Sequence, residues 1–350
     1  MAERNGSTPL DTVGVAWHDD QLQRVREVFD SVDASVADPA LRSRVLAQVP
    51  GDGEDSVAAV GVFRDLLRVE HRPDRFRRLL RIWSGKVAAE VRAGDYEAAG
   101  LWMRSLIEAP VFPEELSHHV AQARRDLARD GLFEELVTGL ASADDPASAG
   151  PLLASWGEPL VEYLIAQVAS DEPVVNRPYI VEYLAMVGRG DARHLTPRLV
   201  DPRWFVVRNV VIAIGKAGRV SALPALESVA NHEDERVRVE AIRAIGALKA
   251  DEAIPGVLGF LNDPSPNVRQ AAASLLRASP SESVVPGIVK VLEDGIGSAE
   301  DARRLVEIVA ERRGPPVREA LESLTSRKFA LGVSKAVRDA ARDALSEWPE

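Results

Sequence analysis

Three segments of this chain repeat one another at a fixed interval: DPRWFVVRNVVIAIGKAG from Asp201, HEDERVRVEAIRAIGAL from His232 and NDPSPNVRQAAASLLRAS from Asn262. Each places a Val-Arg pair early in an apolar helical pattern. The pairs are Val207-Arg208, Val237-Arg238 and Val268-Arg269, spaced by 30 and 31 residues. Turns rich in Asp, Pro, Glu or His precede them. Between them lie ALPALESVA and AIPGVLGFL, with Pro224 and Pro255 near the start and leucines at helical spacing. A unit of helix, tight turn and helix cannot bury its apolar face alone. Stacking on like units does so, and a period of about 30 residues therefore points to a solenoid.

The helix registers define two faces. In the second unit Val237, Ala241, Ile245 and Leu248 recur at helical intervals, whereas Arg236, Glu240 and Arg243 fall on another face. In the third, Val268, Ala272 and Leu275 are apolar, and Asn267, Gln270, Ser274 and Arg277 are polar. Each helix is thus amphipathic and needs neighbours on its apolar side. A shift of 31 residues maps Arg236 onto Asn267 and Arg243 onto Ser274. The polar positions of successive second helices are therefore expected to form one continuous surface, facing away from the first helices. Those seven residues, with Trp204 and Phe205, are the candidate partner-binding positions. The Trp204 helix is the exception in pattern: from Trp204 to Ile214 only Arg208 and Asn209 are polar. Such a helix is either buried on all sides, which is the expectation here, or leaves an apolar patch for a partner.

Fainter units extend the array. PLVEYLIAQV pairs with RPYIVEYLAMVG, and ARHLTPRLV supplies the first helix of the Trp204 unit. SVVPGIVKVLED pairs with AEDARRLVEIVAERR, and PVREALESLTSRKF with SKAVRDAARDAL, where Val337-Arg338 restores the pair. This makes about six helix pairs between residues 157 and 348.

The string D-P-x-x-x-V-R, followed by small residues and Ala/Leu-Gly at the end of the second helix, resembles the HEAT-repeat family. The likeness is to its bacterial short-repeat branch, which includes the phycobilin-lyase-like repeats. It covers about 190 residues and is strongest over 197–280. The resemblance implies an all-α, right-handed superhelix, with a turn acid and a second-helix arginine forming a hydrogen-bonded ladder between repeats. Asp263 and Arg269 match that pattern; Asp234 and Arg238 match less well, and an extra residue separates Asp201 from Arg208. Arg269 is expected to be largely buried and bonded near Asp263. The resemblance also implies a non-catalytic scaffold binding another protein on the concave surface lined by second helices. Its alternatives are nucleic-acid binding, or an enzyme of the lyase or DNA-glycosylase type.

The first 150 residues read as an irregular helical cap, and 151–350 as the array. RFRRLLRIWSGKVAAEVRAGDYEAAGLWMRSLIEA is an αα-hairpin turning at Gly94-Asp95, with Phe76, Leu79, Leu80, Trp83 and Val87 as its apolar stripe. Further helices are expected near 19–32, 38–49, 54–70, 114–129 and 131–141, with boundary loops at 51–55 and 141–150. The run Arg72, Arg75, Arg77, Arg78, Arg81 and Lys86 reads as the solvated face of one helix, with a docking face as the alternative.

Chemistry is sparse. There is no cysteine, so thiolate nucleophiles, thiolate ligands and disulfides are excluded. The six histidines form neither H-x-x-x-H nor H-E-x-x-H. His118-His119 point to different sides of a helix, and the single His232-Glu233 pair lies in a turn, unlike the in-helix pairs of HEAT-like di-iron hydroxylases. Walker A, G-x-S-x-G and G-x-G-x-x-G are missing. Trp204, Arg208 and Asp201 could imitate a glycosylase pocket. However, the net charge is −11, and the block 197–245 carries 8 basic against 6 acidic side chains. That is no field for a phosphate backbone. The expectation is a cytoplasmic protein with no metal, cofactor or membrane span, whose partner is another protein.

Overall fold

The computed structural model describes residues 60, 61, 63, 64, 67, 68, 70–107, 112–129, 131–248, 253–296, 298–326 and 333–348. All regular structure among them is helical. It forms two compact units, residues 1–136 and 137–350. The helices expected at 19–32 and 38–49, most of that at 54–70, and the loop 51–55 lie outside the described residues.

In the first unit the expected hairpin is present as α1 (Pro73–Ala93) and α2 (Tyr96–Arg104). Gly94, at φ 78°, ends α1 in the left-handed conformation that glycine adopts without a Cβ penalty. Asp95 then caps α2 by accepting from the Ala98 amide at 2.9 Å. Phe76, Leu79, Leu80, Trp83 and Val87 are all buried. Trp83 is fixed further by donating its indole N–H to the Trp102 carbonyl at 2.7 Å. Arg72, just before α1, and Arg77 and Arg81 on it face solvent, while Arg75, Arg78 and Lys86 are half-buried. α3 (Ser117–Arg129) packs on α1. α4 (Leu132–Ala141) follows, and the division between the two units falls inside it.

The second unit is an α-solenoid. After α5 (Gly150–Trp156), helix pairs follow in sequence: α6 (Glu158–Ala169) with α7 (Arg177–Gly190), two 3-10 turns over 192–200 with α8 (Trp204–Ala217), and α9 (Leu223–Ser228) with α10 (Glu235–Leu248). Then come α11 (Ile254–Gly259) with α12 (Pro266–Ala278), α13 (Val284–Asp294) with α14 (Ala299–Glu311), and α15 (Pro315–Ser326) with α16 (Lys335–Ser346). The six expected pairs are present. The first helices of the central repeats are only one or two turns long. ARHLTPRLV, read as a helix, forms 3-10 turns because Pro197 removes an amide and Asp191 draws the Arg193 amide to its side chain.

Second helices stack on one another: α7 on α8, α8 on α10, α10 on α12. That stacking buries much of the Trp204 helix but not all sides of it, since Trp204, Phe205 and Ile212 stay half-buried. Val206, Val207, Val210, Val211, Ala213 and Ile214 are buried, and the neighbours that flank α8 are α7 and α10. Gly215 lies so close to α10 that an added Cβ would meet Ala244 Cα and Cβ at 2.9 Å. Gly188 and Gly246 stand equally close to the following repeat, so a small residue near the end of α7, α8 and α10 is what lets the next repeat approach.

The ladder exists, with a different pairing from the expected one. Arg238 reaches forward to Asp263, Nε to Oδ2 and Nη2 to Oδ1, both at 2.8 Å, while Nη1 donates to the His232 and Glu233 carbonyls. Arg269 does the same one repeat on. Its Nε donates to Asp301 Oδ2 at 2.8 Å, and Nη1 to the Asp263 and Pro264 carbonyls. Arg269 is therefore bonded to Asp263, but to its main chain; the carboxylate of Asp263 belongs to Arg238. Its side chain is only 21% exposed, largely buried as expected. The Asp234 carboxylate, considered for Arg238, is taken by Arg236. Burial pushes Asp301 up, but hydrogen bonds from Ser298 and Arg269 outweigh it and hold the acid below the ordinary carboxylate range.

Candidate functional site

Stacking α8, α10 and α12 side by side leaves a cleft of about 1150 Å³ along their outer faces. Trp204 and Arg208 stand at one side, Arg236, Val239, Glu240 and Arg243 in the middle, and Asn267, Gln270, Ala271, Ser274 and Leu275 at the other. Seven of the nine sequence candidates thus converge: Trp204, Arg236, Glu240, Arg243, Asn267, Gln270 and Ser274. Two do not. Arg277 turns to α14, pairing with Glu311 at 3.0 Å and Glu307 at 3.8 Å. Phe205 is half-buried, edge-on to Trp204 at a ring-centroid distance of 5.9 Å, and is absent from the lining.

The electrostatics are layered. Glu240, expected on the open polar surface, is buried, because it accepts from Arg208 Nη2 at 2.8 Å and Arg243 Nη1 at 3.2 Å. A carboxylate holding two guanidinium groups keeps its charge at a depth where an unpaired one would be costly. Arg236 is held twice. Its guanidinium lies 3.4 Å from the Trp204 ring centroid, and Nε and Nη2 clasp Asp234 at 3.0 and 2.7 Å. The hydrogen bonds from Arg236 bring Asp234 down to about 2. The same clasp recurs in the turns at Asp191-Arg193 and Asp201-Arg203. Its signature is D-x-R immediately before or within a helical turn, which sequence reading passed over. Asp201 is therefore committed to Arg203, so the imitation glycosylase set of Trp204, Arg208 and Asp201 is not assembled.

The turn chemistry, the forward ladder and the small residues at second-helix ends all have counterparts in one repeat family. Residues 223–325 match the model for HEAT repeats. Over those residues the solenoid is of HEAT type. Among solved structures, the complex of CpcE and CpcF of phycocyanin lyase from Nostoc sp. PCC7120 is 18% identical, with a TM-score of 0.30, over 61% of this chain and 93% of that one. An engineered protein is 19% identical, with a TM-score of 0.30, over 92% and 98%. Human deoxyhypusine hydroxylase in complex with glycerol is 15% identical, with a TM-score of 0.29, over 73% and 97%. Comparison with curated proteins yields no match.

The HEAT array also places residues whose part was not read from sequence. Val239, Ala271 and Leu275 are half-buried and line the cleft. Leu275 had been grouped with the core stripe of Val268 and Ala272, which are buried. One residue's rotation separates core from cleft floor, and an amphipathic pattern does not resolve it. Of the histidines, His232 accepts from the Asp234 amide through Nδ1 at 3.0 Å, a turn role. His118 and His119 have ring centroids 3.9 Å apart, and His118 bonds the Glu115 carbonyl. Among the described residues no group of three or more His, Asp or Glu side chains could hold a metal ion, and no helix is long and apolar enough to cross a membrane.

Proposed function

We propose that this chain is a non-catalytic scaffold that holds another protein in the cleft between its second helices. The observation that carries this reading is the make-up of the cleft wall. Val239, Ala271 and Leu275 form an apolar floor, bordered by exposed Arg236, Arg243, Asn267, Gln270 and Ser274. An apolar centre within a polar border, with Trp and Arg at its edge, is the anatomy of a protein interface. Catalysis would instead favour displaced titratable groups aimed into the open volume. The aspartates held low here, Asp191, Asp201, Asp234 and Asp301, are all committed to arginines of the scaffold.

A photo-crosslinking residue tests the reading. Placed at Gln270, it should give a discrete protein adduct in the native cell. Placed at exposed Glu227 on α9, outside the cleft, it should not. Indistinguishable adduct patterns from the two positions, or none from Gln270, would refute the scaffold.

A further inference from the structure

We infer that the segment this cleft takes is an acidic amphipathic helix of the partner, an inference that rests on the scaffold reading above. The argument begins with which charges solvent can reach. The side chains of Arg208, Arg236 and Arg243 are 38%, 55% and 66% exposed, whereas the carboxylates they hold, Glu240 and Asp234, are 11% and 17% exposed. Each ion pair is turned with its negative end inward and its positive end towards the cleft mouth. An approaching ligand meets guanidinium groups, although the chain as a whole is at −11.

These cations are also held in place before binding. Arg236 is fixed between Trp204 and Asp234, so little rotamer freedom is left to lose when a carboxylate arrives. Arg208 and Arg243 share the single carboxylate of Glu240. Two guanidinium groups offer more donors than one carboxylate can absorb, and a second acidic group completes the set. The floor of Val239, Ala271 and Leu275 runs beside them, so carboxylates must be carried on the flanks of an apolar stripe. That is the pattern of an amphipathic helix laid in a groove.

A nucleic acid fits less well. Glu235, bonded to Asn267 at 3.2 Å, stands in the same wall, and among the described residues that line the cleft no further cation continues the track that a phosphate backbone would need. Size follows from the stacking. Three helix axes spaced by about 8–10 Å span about 20 Å. At about 1.5 Å per residue, that is a helix of about 14 residues.

The test uses the full-length protein and a fluorescein-labelled peptide of about 14 residues, with leucines on one face and glutamates on the others. Versions with every Glu changed to Gln or to Lys, and a single-stranded oligonucleotide of similar length, serve as comparisons. Fluorescence anisotropy at low salt should show saturable binding of the Glu peptide, about tenfold tighter than the Gln peptide, with no binding of the Lys peptide. Added salt should weaken it. Arg236→Ala and Arg243→Ala should each weaken it by about tenfold, with helical circular dichroism unchanged. Equal affinity for the Gln peptide would overturn the acidic requirement and leave the scaffold reading standing. Failure of every peptide, or tighter binding of the oligonucleotide, would overturn the helix, while the Gln270 crosslink reports on the scaffold independently.

Discussion

Arg236 and Arg238 stand two positions apart on the same helix of the array and belong to two different regions of the molecule. Arg238 is in the turn layer, where repeats are joined. Its side chain is 12% exposed, and all its bonds are to Asp263 of the next repeat and two carbonyls of its own turn. Arg236 is in the cleft layer, 55% exposed, bonded to the aspartate two residues before it and laid over an indole. The first joins parts of the chain 25 residues apart by a forked ion pair; the second reaches the preceding repeat only through the Trp204 ring face. What separates Arg238 from Arg236 is that its acceptors include a carboxylate of the next repeat, whereas the carboxylate of Arg236 lies in its own turn.

The largest expected effect tests the turn layer. Arg238→Ala strips both forked bonds from Asp263, whose side chain is only 9% exposed, and leaves that carboxylate without its cation. Removing one partner of such a pair costs about 3 kcal/mol, measured as a lowered urea midpoint for the array. Arg238→Lys keeps the charge but cannot form the fork, and should fall between the two. A midpoint equal to the wild type would erase the distinction between the layers.

Next comes the contact that the layers share. Gly215→Ala puts a methyl group 2.9 Å from Ala244 Cα, a backbone atom that cannot step aside without moving α10. Overpacking of this kind costs about 1–3 kcal/mol. Because Trp204 sits on α8 and Arg236 on α10, the same shift should disturb the stacked pair, visible as a change in tryptophan emission.

Much of this was readable in the sequence, for a physical reason. A 31-residue period and a Val-Arg pair at its start encode one repeated local structure, and both six-pair architecture and hairpin follow from local patterns. The ladder pairing was not readable, because the arginine's acid lies in another repeat. Asp263 is six residues before Arg269 and 25 after Arg238, and only the stack reveals that the distant one is nearer. The next rung is 32 residues, Arg269 to Asp301, because α13 lengthens the intervening first helix. At the cleft, polar letters placed most of the lining, yet gave Glu240 an exposed role. Its burial depends on Arg208 from the preceding repeat, which no pattern within α10 announces.

Acid should sharpen the contrast from the other side. Asp191 and Asp234 are held at about 2 by the arginines that clasp them, against an ordinary value of 3.8. A folded-state value below the unfolded one means stability that is complete above about pH 4 and is lost as pH falls towards 2. Asp201 and Asp301 are displaced in the same direction. Urea midpoints should therefore be flat from pH 7 to 5 and drop steeply below 4. Arg236→Gln should remove the Asp234 share of that drop, leaving the rest in place; an unchanged acid profile would mean that the clasp stores nothing.

The smallest effect on folding is expected at an arginine whose loss should still weaken binding. Arg243 is 66% exposed, and its one bond is to Glu240 at 3.2 Å. Glu240 keeps Arg208 at 2.8 Å when Arg243 is cut back, so no buried charge is orphaned. Exposed pairs of this kind contribute about 0–1 kcal/mol, and Arg243→Ala should leave the urea midpoint nearly where it was. Arg208→Ala is the informative counterpart. It removes the shorter bond, leaving Glu240 to the longer bond of a more exposed partner, so it should destabilise more than Arg243→Ala does. If the two were equal, Glu240 would be held by neither arginine in particular, and the inward orientation of the cleft's negative charge would need another cause. If Arg243→Ala proved as damaging as Arg238→Ala, the cleft layer would be part of the framework, and its arginines could not be assigned to a partner on the strength of their exposure.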